Sequence, residues 1–517
     1  MRLFRSPLPM NIGHQAAAGA MWTIGLGLAS RLVGLIGTVV ITHFLSPAVM
    51  GEVAAATVLA LTANWMSAWG FNQYVIVKGH EGQEAVFHAT VLHLAFGFAA
   101  LLVVLLAGGG LSGYLNAPNL GAYLPGMVVA VAIKRLTSIP DKLLMRQMRF
   151  RTVAIATATG EISYVCIAVL LVVNTSLGGV AIVVANIVQA LVVAAIEITA
   201  QGLRTWLMPA PWNWKRVREI LRFGTPLGVE SFLSEASRYW DKLAFSRLFG
   251  PHATGMYSLS YNLADLPATY VGEHVASVLF PTLVRSEVSS RPRMFCRAFG
   301  LLLLITLPIA IGLAAVAHTL VELLLTAEWQ PVAGFLVVLA AAGVFRPVNS
   351  IAASLLMASE RNTLLLAAEF AKVTALLFGM WALSPFGELA SAASVALAMG
   401  LQAALLMFVL GRSGFPVRDL LLEARGPLSA AIILVAAVMA TRSALAHGAT
   451  IPVAAQLAVE VVAGGLAYCF GAWLFARPSV NQLIDMLKAQ IRGPGLPAGI
   501  SAIPDRQSNS DGKASNP

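Results

Sequence analysis

Long apolar runs recur along almost the whole chain, separated by short polar breaks or by breaks that contain glycine and proline. Runs of about 20 residues fit membrane-spanning helices, whereas the strands of a membrane barrel need only about ten. The pattern predicts an all-α polytopic membrane protein with about fourteen spans. These lie near residues 17–43, 51–73, 86–107, 117–137, 152–173, 178–200, 221–248, 253–283, 297–321, 331–357, 363–384, 387–411, 427–446 and 451–476.

Composition supports a membrane protein and changes how the net charge is interpreted. Of 517 residues, 58% are hydrophobic and 11% are charged, and the mean hydropathy is +0.78, whereas soluble domains carry about 25% charged residues. A net charge of +10 would indicate nucleic-acid binding in a soluble protein. In a membrane protein, however, basic residues also mark the side of the membrane on which a connection lies. No nucleic-acid partner is therefore expected here.

Connections rich in lysine and arginine alternate with connections that contain almost none, as the positive-inside rule requires. By this count 27 of the 34 basic residues lie on one side, which is therefore predicted to be cytoplasmic, together with both termini. The N-terminal segment is expected to stay uncleaved. The predicted location is the bacterial inner membrane. The seven other basic residues lie in spans or at their outer ends, and they are Arg31, Arg238, Lys242, Arg247, Arg346, Lys372 and Arg442.

The seventh span is the most unusual, because residues 224–255, a stretch of membrane-helix length, contain six charged residues. Each charged residue costs about 2.5–3.5 kcal/mol at the centre of a bilayer even on lenient scales, so the presence of six in one span needs an explanation. At about 100° per residue, five of the six fall within less than half of the helix circumference, and we interpret that face as one wall of a polar transport cavity. The five are Glu230, Glu235, Arg238, Asp241 and Lys242.

One other interpretation of these charges stays open, and one of the six residues is left out of the site. Glu235 with Arg238, and Arg238 with Asp241, could form ion pairs within the helix that only hold helices together. Arg247 points away from the common face and lies close enough to the span's outer end to reach the interface, so we leave it out of the site.

The chain also repeats itself. LSPAVMG at 45–51 and FGPHATG at 249–255 end the first and seventh spans with the same proline–glycine spacing. A proline that starts the next helix and a glycine where helices approach closely explain this spacing. Further pairs follow in order: Met145 with Met357, Arg149 with Arg361, Glu161 with Glu369 and Gly179 with Gly387. The repeat predicts two six-helix lobes in parallel orientation, followed by two extra helices.

These motifs, with LFPTL at 279–283 and the basic LLMRQMRF turn at 143–150, resemble the polysaccharide transporter branch of the multidrug/oligosaccharidyl-lipid/polysaccharide exporter superfamily. That branch includes the Wzx-type O-antigen flippases, and the resemblance covers about residues 15–476. It implies two lobes around a central cavity that opens alternately to either side. It also implies a substrate of undecaprenyl-diphosphate-linked oligosaccharide, and a role for the last two helices in bordering a groove for the lipid tail.

The expected site residues follow from this implied substrate. Arg31, without an acidic partner in its own helix, is a candidate for the diphosphate, with Arg238 and Lys242 assisting. Carboxylates suit sugar hydroxyls, and they also suit coupling to H⁺ or Na⁺, so the coupling ion stays open. Glu369 and Lys372, one turn apart, are expected to pair, and Glu161 is expected to have a structural role. The full candidate set is Arg31, Glu230, Glu235, Arg238, Asp241, Lys242, Asp265, Glu273 and Arg346.

The predicted organisation has five parts. They are a first lobe at 1–200, an interfacial linker at 201–220 rich in tryptophan and basic residues, a second lobe at 221–411, two further spans at 412–476, and a C-terminal segment at 477–517 that starts with an amphipathic helix and ends in a disordered tail.

Several function classes compete with the flippase. A cation-coupled multidrug exporter usually has twelve spans, and a lipid II flippase for peptidoglycan differs in cargo. A membrane-bound polymerase, ligase or glycosyltransferase commonly needs a large outer loop or soluble domain, and here the outer loops are short. The chain contains no P-loop, metal-ligand cluster or nucleophile elbow, and Cys166, Cys296 and Cys469 are scattered. We therefore expect a transporter without a cofactor, whose partners are the lipid-linked oligosaccharide, membrane lipids and, if it acts in an assembly, a polysaccharide polymerase.

Overall fold

A computed structural model describes residues 10–285, 291–359, 361–412, 415, 417–447 and 451–491. Side chains are described for all of these except 10–24, 28, 230, 234, 266–285, 291–294, 358, 362, 486, 487 and 489–491. The described residues form helices, short 3-10 turns and connections, with no strand among them. The helices are α1 Met10–Thr42, α2 Pro47–Met66, α3 Phe71–Lys78, α4 Gln83–Tyr114, α5 Leu120–Arg146, α6 Phe150–Asn174, α7 Gly179–Gln201, α8 Arg204–Leu207, α9 Trp214–Arg285, α10 Arg291–Leu324, α11 Val332–Ala342, α12 Arg346–Ala358, α13 Asn362–Leu383, α14 Glu388–Arg412, α15 Val417–Ala446, α16 Val453–Phe475 and α17 Arg477–Ile491.

The all-α class is confirmed, whereas the number of spans stays a prediction. Twelve helical segments within the described residues are long and apolar enough to cross a membrane. Helix α9 is not among them, and it covers both charged spans predicted at 221–248 and 253–283. Its two halves meet at Gly250, whose backbone (φ 79°, ψ −177°) is a conformation that only glycine adopts readily. The predicted break between the seventh and eighth spans is thus a kink.

The helices form two lobes, as the repeat predicts. In the first, α1 packs on α6, and α5, α6 and α7 pack on one another. In the second, α9, α11, α13 and α14 surround an apolar core that includes Trp329 and Phe335. The extra helices α15 and α16 pack on each other and on α10, so they belong to the second lobe's side of the molecule.

The predicted cytoplasmic connection between the fourth and fifth spans is mostly helix, because α5 continues to Arg146. Arg135, which was counted with the basic residues of that connection although it lies at the end of the span predicted at 117–137, is 1% exposed. Its guanidinium donates to the carbonyls of His93 (2.9 Å), Asn64 (3.0 Å) and Ser67 (2.8 Å). The last carbonyls of α2 have no partner within that helix, so a buried arginine fork stabilises its end. The placement of Arg135 in the loop was wrong for this reason.

The linker and the C-terminal segment differ in part from expectation. Trp206, expected at the headgroups, is 1% exposed and packs with Phe71 and Ile220, because α8 folds back onto α4. Trp212 and Trp214 are exposed. A helix, α17, follows the last span, and its Leu483 packs against the core under α15 and α16.

One buried ion pair holds the two extra helices to the second lobe. Glu460 of α16 is fully buried and accepts from Arg442 Nε and Nη2 (both 3.1 Å), Thr319 Oγ1 (3.1 Å) and Gln456 Nε2 (3.0 Å). Three helices therefore meet at one carboxylate.

We expect Glu460→Ala to lower the amount of folded protein strongly, because it leaves the Arg442 guanidinium without its carboxylate. Breaking a buried pair costs about 3–5 kcal/mol. The yield of monodisperse protein after detergent extraction measures the effect, and Glu322→Ala on neighbouring α10, where the carboxylate is exposed, is the matched control. Equal yields of the two variants would contradict the assignment.

Candidate functional site

The bundle has two distinguishable ends. We call the end with Lys78, Arg149 and Arg216 the basic end, and the end with Pro47 and Pro251 the opposite end. Helix α2 runs between them and packs along α9. The main contact between the lobes is therefore that of α2 with both halves of α9, of which the half after Gly250 occupies the position that corresponds to α2 in the repeat.

At the opposite end the two repeated motifs cross each other. A Cβ added at Gly51 would overlap the carbonyl oxygen of Pro251, and one added at Gly255 would overlap the carbonyl oxygen of Pro47. The contacts are reciprocal, as expected where a twofold relation between two repeats passes through their interface. The prediction that these glycines mark a close helix approach is confirmed, and the approach is between the lobes.

At the basic end the lobes also touch. The turn after α2 has left-handed backbone at Trp69 (φ 41°) and Gly70 (φ 65°), and it lies against the start of α9. A Cβ at Gly228 would come within 2.9 Å of the Trp69 backbone, and the Trp69 indole donates to Thr225 Oγ1 at 3.1 Å. The lobes are thus in contact at both ends of α2. In this arrangement the lobe interface is closed at the basic end and at the opposite end.

A network of charges ties the lobes together outside the spans at the basic end. Arg216 of α9 pairs with Glu81 (2.6 Å) and Glu219 (2.8 Å), and Lys78 pairs with Glu81 (2.6 Å). Hydrogen bonds from Lys78 and then Arg216 hold the pKa of the Glu81 carboxyl below its usual value. The network is therefore fully charged at neutral pH and weakens in acid or high salt.

Aromatic side chains line the middle of the α2–α9 contact. Trp65 stacks on Tyr239 with centroids 4.9 Å apart, and the Trp240 indole donates to Thr62 Oγ1 at 3.2 Å. Large apolar rings with polar edges suit a surface that contacts both a lipid-like and a sugar-like ligand.

Asp241 and Lys242 lie deep in the second lobe. They are 1% and 6% exposed. Asp241 accepts from the Tyr257 hydroxyl at 2.5 Å, and the Lys242 ammonium lies 5.3 Å from the ring centroids of Tyr239 and Tyr261. Both candidates are therefore held by other side chains of the same helix in this conformation.

A cavity in the second lobe brings three helices together. Its polar lining consists of Ser237, Asp241 and Tyr261 of α9 and Lys372 of α13. Its apolar wall consists of Leu376, Val395, Ala398 and Met399. The cavity lies beside Asp241, on the face that the sequence singled out.

Lys372 is also part of a second charged group. It pairs with Glu369 at 2.5 Å, which confirms the expected pair, and Glu369 accepts in addition from the Gln402 amide at 2.6 Å. The polar groups that line this cavity or lie beside it come from α9, α13 and α14.

Two further candidates meet directly. Asp265 of α9 forms an ion pair with Arg346 at the start of α12, with 18% and 20% of their side chains exposed. Arg238 lies close enough to Tyr261 and Lys372 for its charge to act on both. The second lobe thus gathers Arg238, Asp241, Asp265 and Arg346 in one region.

The first lobe contains a corresponding group around Glu161. Glu161 accepts from the Gln189 amide at 2.8 Å, and Lys134 Nζ lies 3.4 Å from Gln189 Oε1. A Cβ at Gly34 would come within 2.6 Å of the Glu161 carboxylate, so Glu161 packs on α1 one turn beyond Arg31. Arg31 is exposed and close enough for its charge to act on Glu161 and on Tyr239 of the second lobe.

The remaining candidates are distributed as follows. Glu235 is half-buried on α9 near Tyr239. Arg247 is exposed near the opposite end, over the Tyr114 ring, as the sequence suggested. The side chains of Glu230 and Glu273 lie outside the described residues.

Several polar partners were missed by sequence reasoning, namely Lys134, Gln189, Tyr257 and Gln402. The repeat held a signal for one of them, because Lys134 precedes Arg346 by 212 positions, the offset that relates Arg149 to Arg361. Each lobe therefore carries a glutamate bound by a glutamine amide, with a lysine beside it and an arginine from its first helix nearby.

Known proteins resemble this chain along most of its length. The polysaccharide biosynthesis protein family matches residues 40–334. The lipopolysaccharide biosynthesis protein WzxC of Escherichia coli K12 is 22% identical over 68% of this chain and 72% of its own. The succinoglycan biosynthesis transport protein ExoT of Rhizobium meliloti is 24% identical over 60% of this chain and 63% of its own.

Solved structures share the fold at low identity. The lipid II flippase MurJ in an inward closed conformation has a TM-score of 0.72 and 14% identity, covering 89% of this chain and 100% of its own. An inward-facing multidrug resistance transporter has a TM-score of 0.61 and 13% identity, covering 75% and 95%. With two lobes in contact at both ends, charged groups between them and a family match over more than half its length, the chain belongs to the polysaccharide biosynthesis protein family, in its Wzx-type branch of membrane transporters, and is not an enzyme.

Proposed function

We propose that this protein moves an undecaprenyl-diphosphate-linked oligosaccharide from the cytoplasmic to the periplasmic leaflet of the bacterial inner membrane. The basic end faces the cytoplasm, as do both termini. The observation that carries the proposal is the pair of lobe contacts at the two ends of α2, with charged side chains of both lobes between them. Opening one contact at a time would expose those charges to each side in turn, which is alternating access.

The charges are suited to the polar part of such a substrate. Arg31, Arg238 and Arg346 present planar forks that match a diphosphate, which is the most anionic group of the lipid-linked sugar. Lys242 is buried between two tyrosine rings, so it would contribute through the field of its charge in this conformation. Asp265, Glu369 and the amide of Gln402 offer acceptors and donors for sugar hydroxyls.

Names of relatives point to the same class of cargo. WzxC and ExoT are named for lipopolysaccharide and succinoglycan biosynthesis, and ExoT is named as a transport protein. The repeat unit of a surface polysaccharide is therefore the proposed cargo. A polysaccharide polymerase that receives the flipped unit is the proposed partner.

Deletion of the gene tests this function. We expect loss of one surface polysaccharide, with its lipid-linked precursor accumulating and drug sensitivity unchanged. Normal polysaccharide together with higher drug sensitivity would overturn the proposal and favour a multidrug exporter, and a block in peptidoglycan synthesis would favour a lipid II flippase.

Complementation of that deletion tests the diphosphate assignment. Arg31→Ala is expected to abolish polysaccharide export at normal membrane abundance, because it removes an exposed cation between the lobes. Arg247→Ala, which removes an exposed arginine at the opposite end, is the matched control and should complement. Full complementation by Arg31→Ala would remove Arg31 from the site.

A further inference from the structure

A second polar group lies at the basic end of the first lobe, away from the site between the lobes. It is formed where the last turns of α5 and α7 pack side by side. Asp141 comes from α5, and Glu197 and Gln201, one turn apart, come from α7. The proposed transport function uses none of these residues.

Three oxygen atoms in this group are buried without a hydrogen-bond donor among the described residues. They are Asp141 Oδ1, Glu197 Oε2 and Gln201 Oε1. Glu197 is 3% exposed and Gln201 is 8% exposed. Buried acceptors that lack a donor are uncommon, because leaving one unpaired is unfavourable, and more so for a charged group.

The charge of the group is also unbalanced. Asp141 and Glu197 lie close enough for their charges to repel each other. Lys142 neutralises one of them, with its Nζ 2.7 Å from Asp141 Oδ2, and leaves Oδ1 free. Arg149 is the other cation nearby, and it donates to the Ala200 carbonyl at 2.7 Å. Glu197 is therefore left without a direct cationic partner among the described residues.

The backbone of α7 adds partial negative charge near the same group. Glu197 and Gln201 occupy the last turn of α7, which ends at Gln201. The carboxyl end of a helix carries partial negative charge and favours a cation. The Gln201 amide nitrogen already donates to Thr205 Oγ1 at 3.1 Å, and its carbonyl oxygen is buried without a donor among the described residues.

The second lobe contains no counterpart of these carboxylates. At the offset that relates Arg149 to Arg361, Asp141 corresponds to Ala353, and at the offset that relates Gln189 to Gln402, Glu197 corresponds to Leu410. Leu410 is buried in an apolar core. The fold therefore does not require carboxylates at these positions, and they need another reason.

We infer that Asp141, Glu197 and Gln201 bind a small monovalent cation at the basic end of the first lobe. Carboxylate and amide oxygens are the ligands that hard cations prefer. With both carboxylates ionised, Lys142 balances one of them and a single positive charge on the ion balances the other, whereas a divalent ion would leave the group positive. Na⁺ is the probe for this site. The inference stands independently of the transported substrate, since it concerns binding to the first lobe alone.

Purified full-length protein tests the site directly. Titration with NaCl, at ionic strength held constant with choline chloride, is expected to raise the Tm of the wild type by a saturable few degrees, because a ligand that binds the folded state stabilises it. Bound ²²Na⁺ should saturate at one ion per chain. Glu197→Gln and Asp141→Asn should abolish both effects, and Gln201→Ala should weaken binding.

The matched control is Glu161→Gln, which also removes a carboxylate inside the first lobe, but one that already accepts from Gln189. It should keep the response to Na⁺. The ²²Na⁺ measurement on monodisperse protein guards against variants that only unfold. A wild type with no response beyond that of choline, or a response that survives in Glu197→Gln and Asp141→Asn, would overturn the inference. A Tm that depends on pH but on no cation would also overturn it, and would indicate a proton shared by the two carboxylates.

Discussion

Replacement of Gly255 by valine is expected to abolish polysaccharide export while leaving a folded protein in the membrane. The new side chain would overlap the Pro47 carbonyl, a backbone atom that cannot rotate away. Overpacking of this kind costs about 1–3 kcal/mol, so the balance between closed and open opposite ends would shift by a factor of roughly 5–150. The opposite end would stay open.

A cysteine at Ser237, which lines the cavity, reports this change. In a background with Cys166, Cys296 and Cys469 replaced by alanine, Gly255→Val should increase labelling of that cysteine by a periplasmic, membrane-impermeant thiol reagent. Gly109→Val is the matched control, because nothing lies within 4 Å of the position that its Cβ would take. Normal export by Gly255→Val would show that the opposite-end contact is not part of the transport cycle.

The second large effect is expected at the ion pair of Asp265 and Arg346. Arg346→Ala should abolish export, because it leaves a carboxylate without its cation inside the second lobe and removes one proposed diphosphate ligand. The charge swap, Asp265→Arg with Arg346→Asp, should restore membrane abundance but not export, since a diphosphate needs the cation at its original position.

This swap separates two roles that the sequence left open. If the pair only holds helices together, the swap restores export together with abundance, which contradicts the substrate role. Arg247→Ala, which removes a cation of α9 outside the site, controls for the loss of positive charge.

The repeat was the most informative sequence feature, and it predicted more than ancestry. Pro47 with Gly51, and Pro251 with Gly255, were identified from spacing alone, and they meet each other across the lobe interface. Glycine in a membrane helix is tolerated where backbones approach closely, so the pair could be found without coordinates. The charged residues of α9 were also identified from the sequence, because each is unfavourable in hydrocarbon.

The partners of those charges could not be found from the sequence. Gln189 and Gln402 are neutral amides, and an amide at a helix position has no distinctive spacing. Arg135 was assigned to a loop because hydropathy shows only that it is charged, not that the end of α2 needs donors. Tertiary contacts, which pattern reasoning does not see, decided these positions. The burial of Asp241 and Lys242 is another such case.

The proposed function requires the two lobes to pass a lipid-linked oligosaccharide from one leaflet to the other through the site between them. The most direct measurement uses proteoliposomes with labelled undecaprenyl-diphosphate-linked oligosaccharide in one leaflet, and follows the sugar that becomes accessible in the other. Wild-type protein is predicted to move the sugar well above protein-free liposomes, and Gly255→Val to reduce movement to that background. No movement by the wild type with the organism's own oligosaccharide, or equal movement by Gly255→Val, would contradict the account.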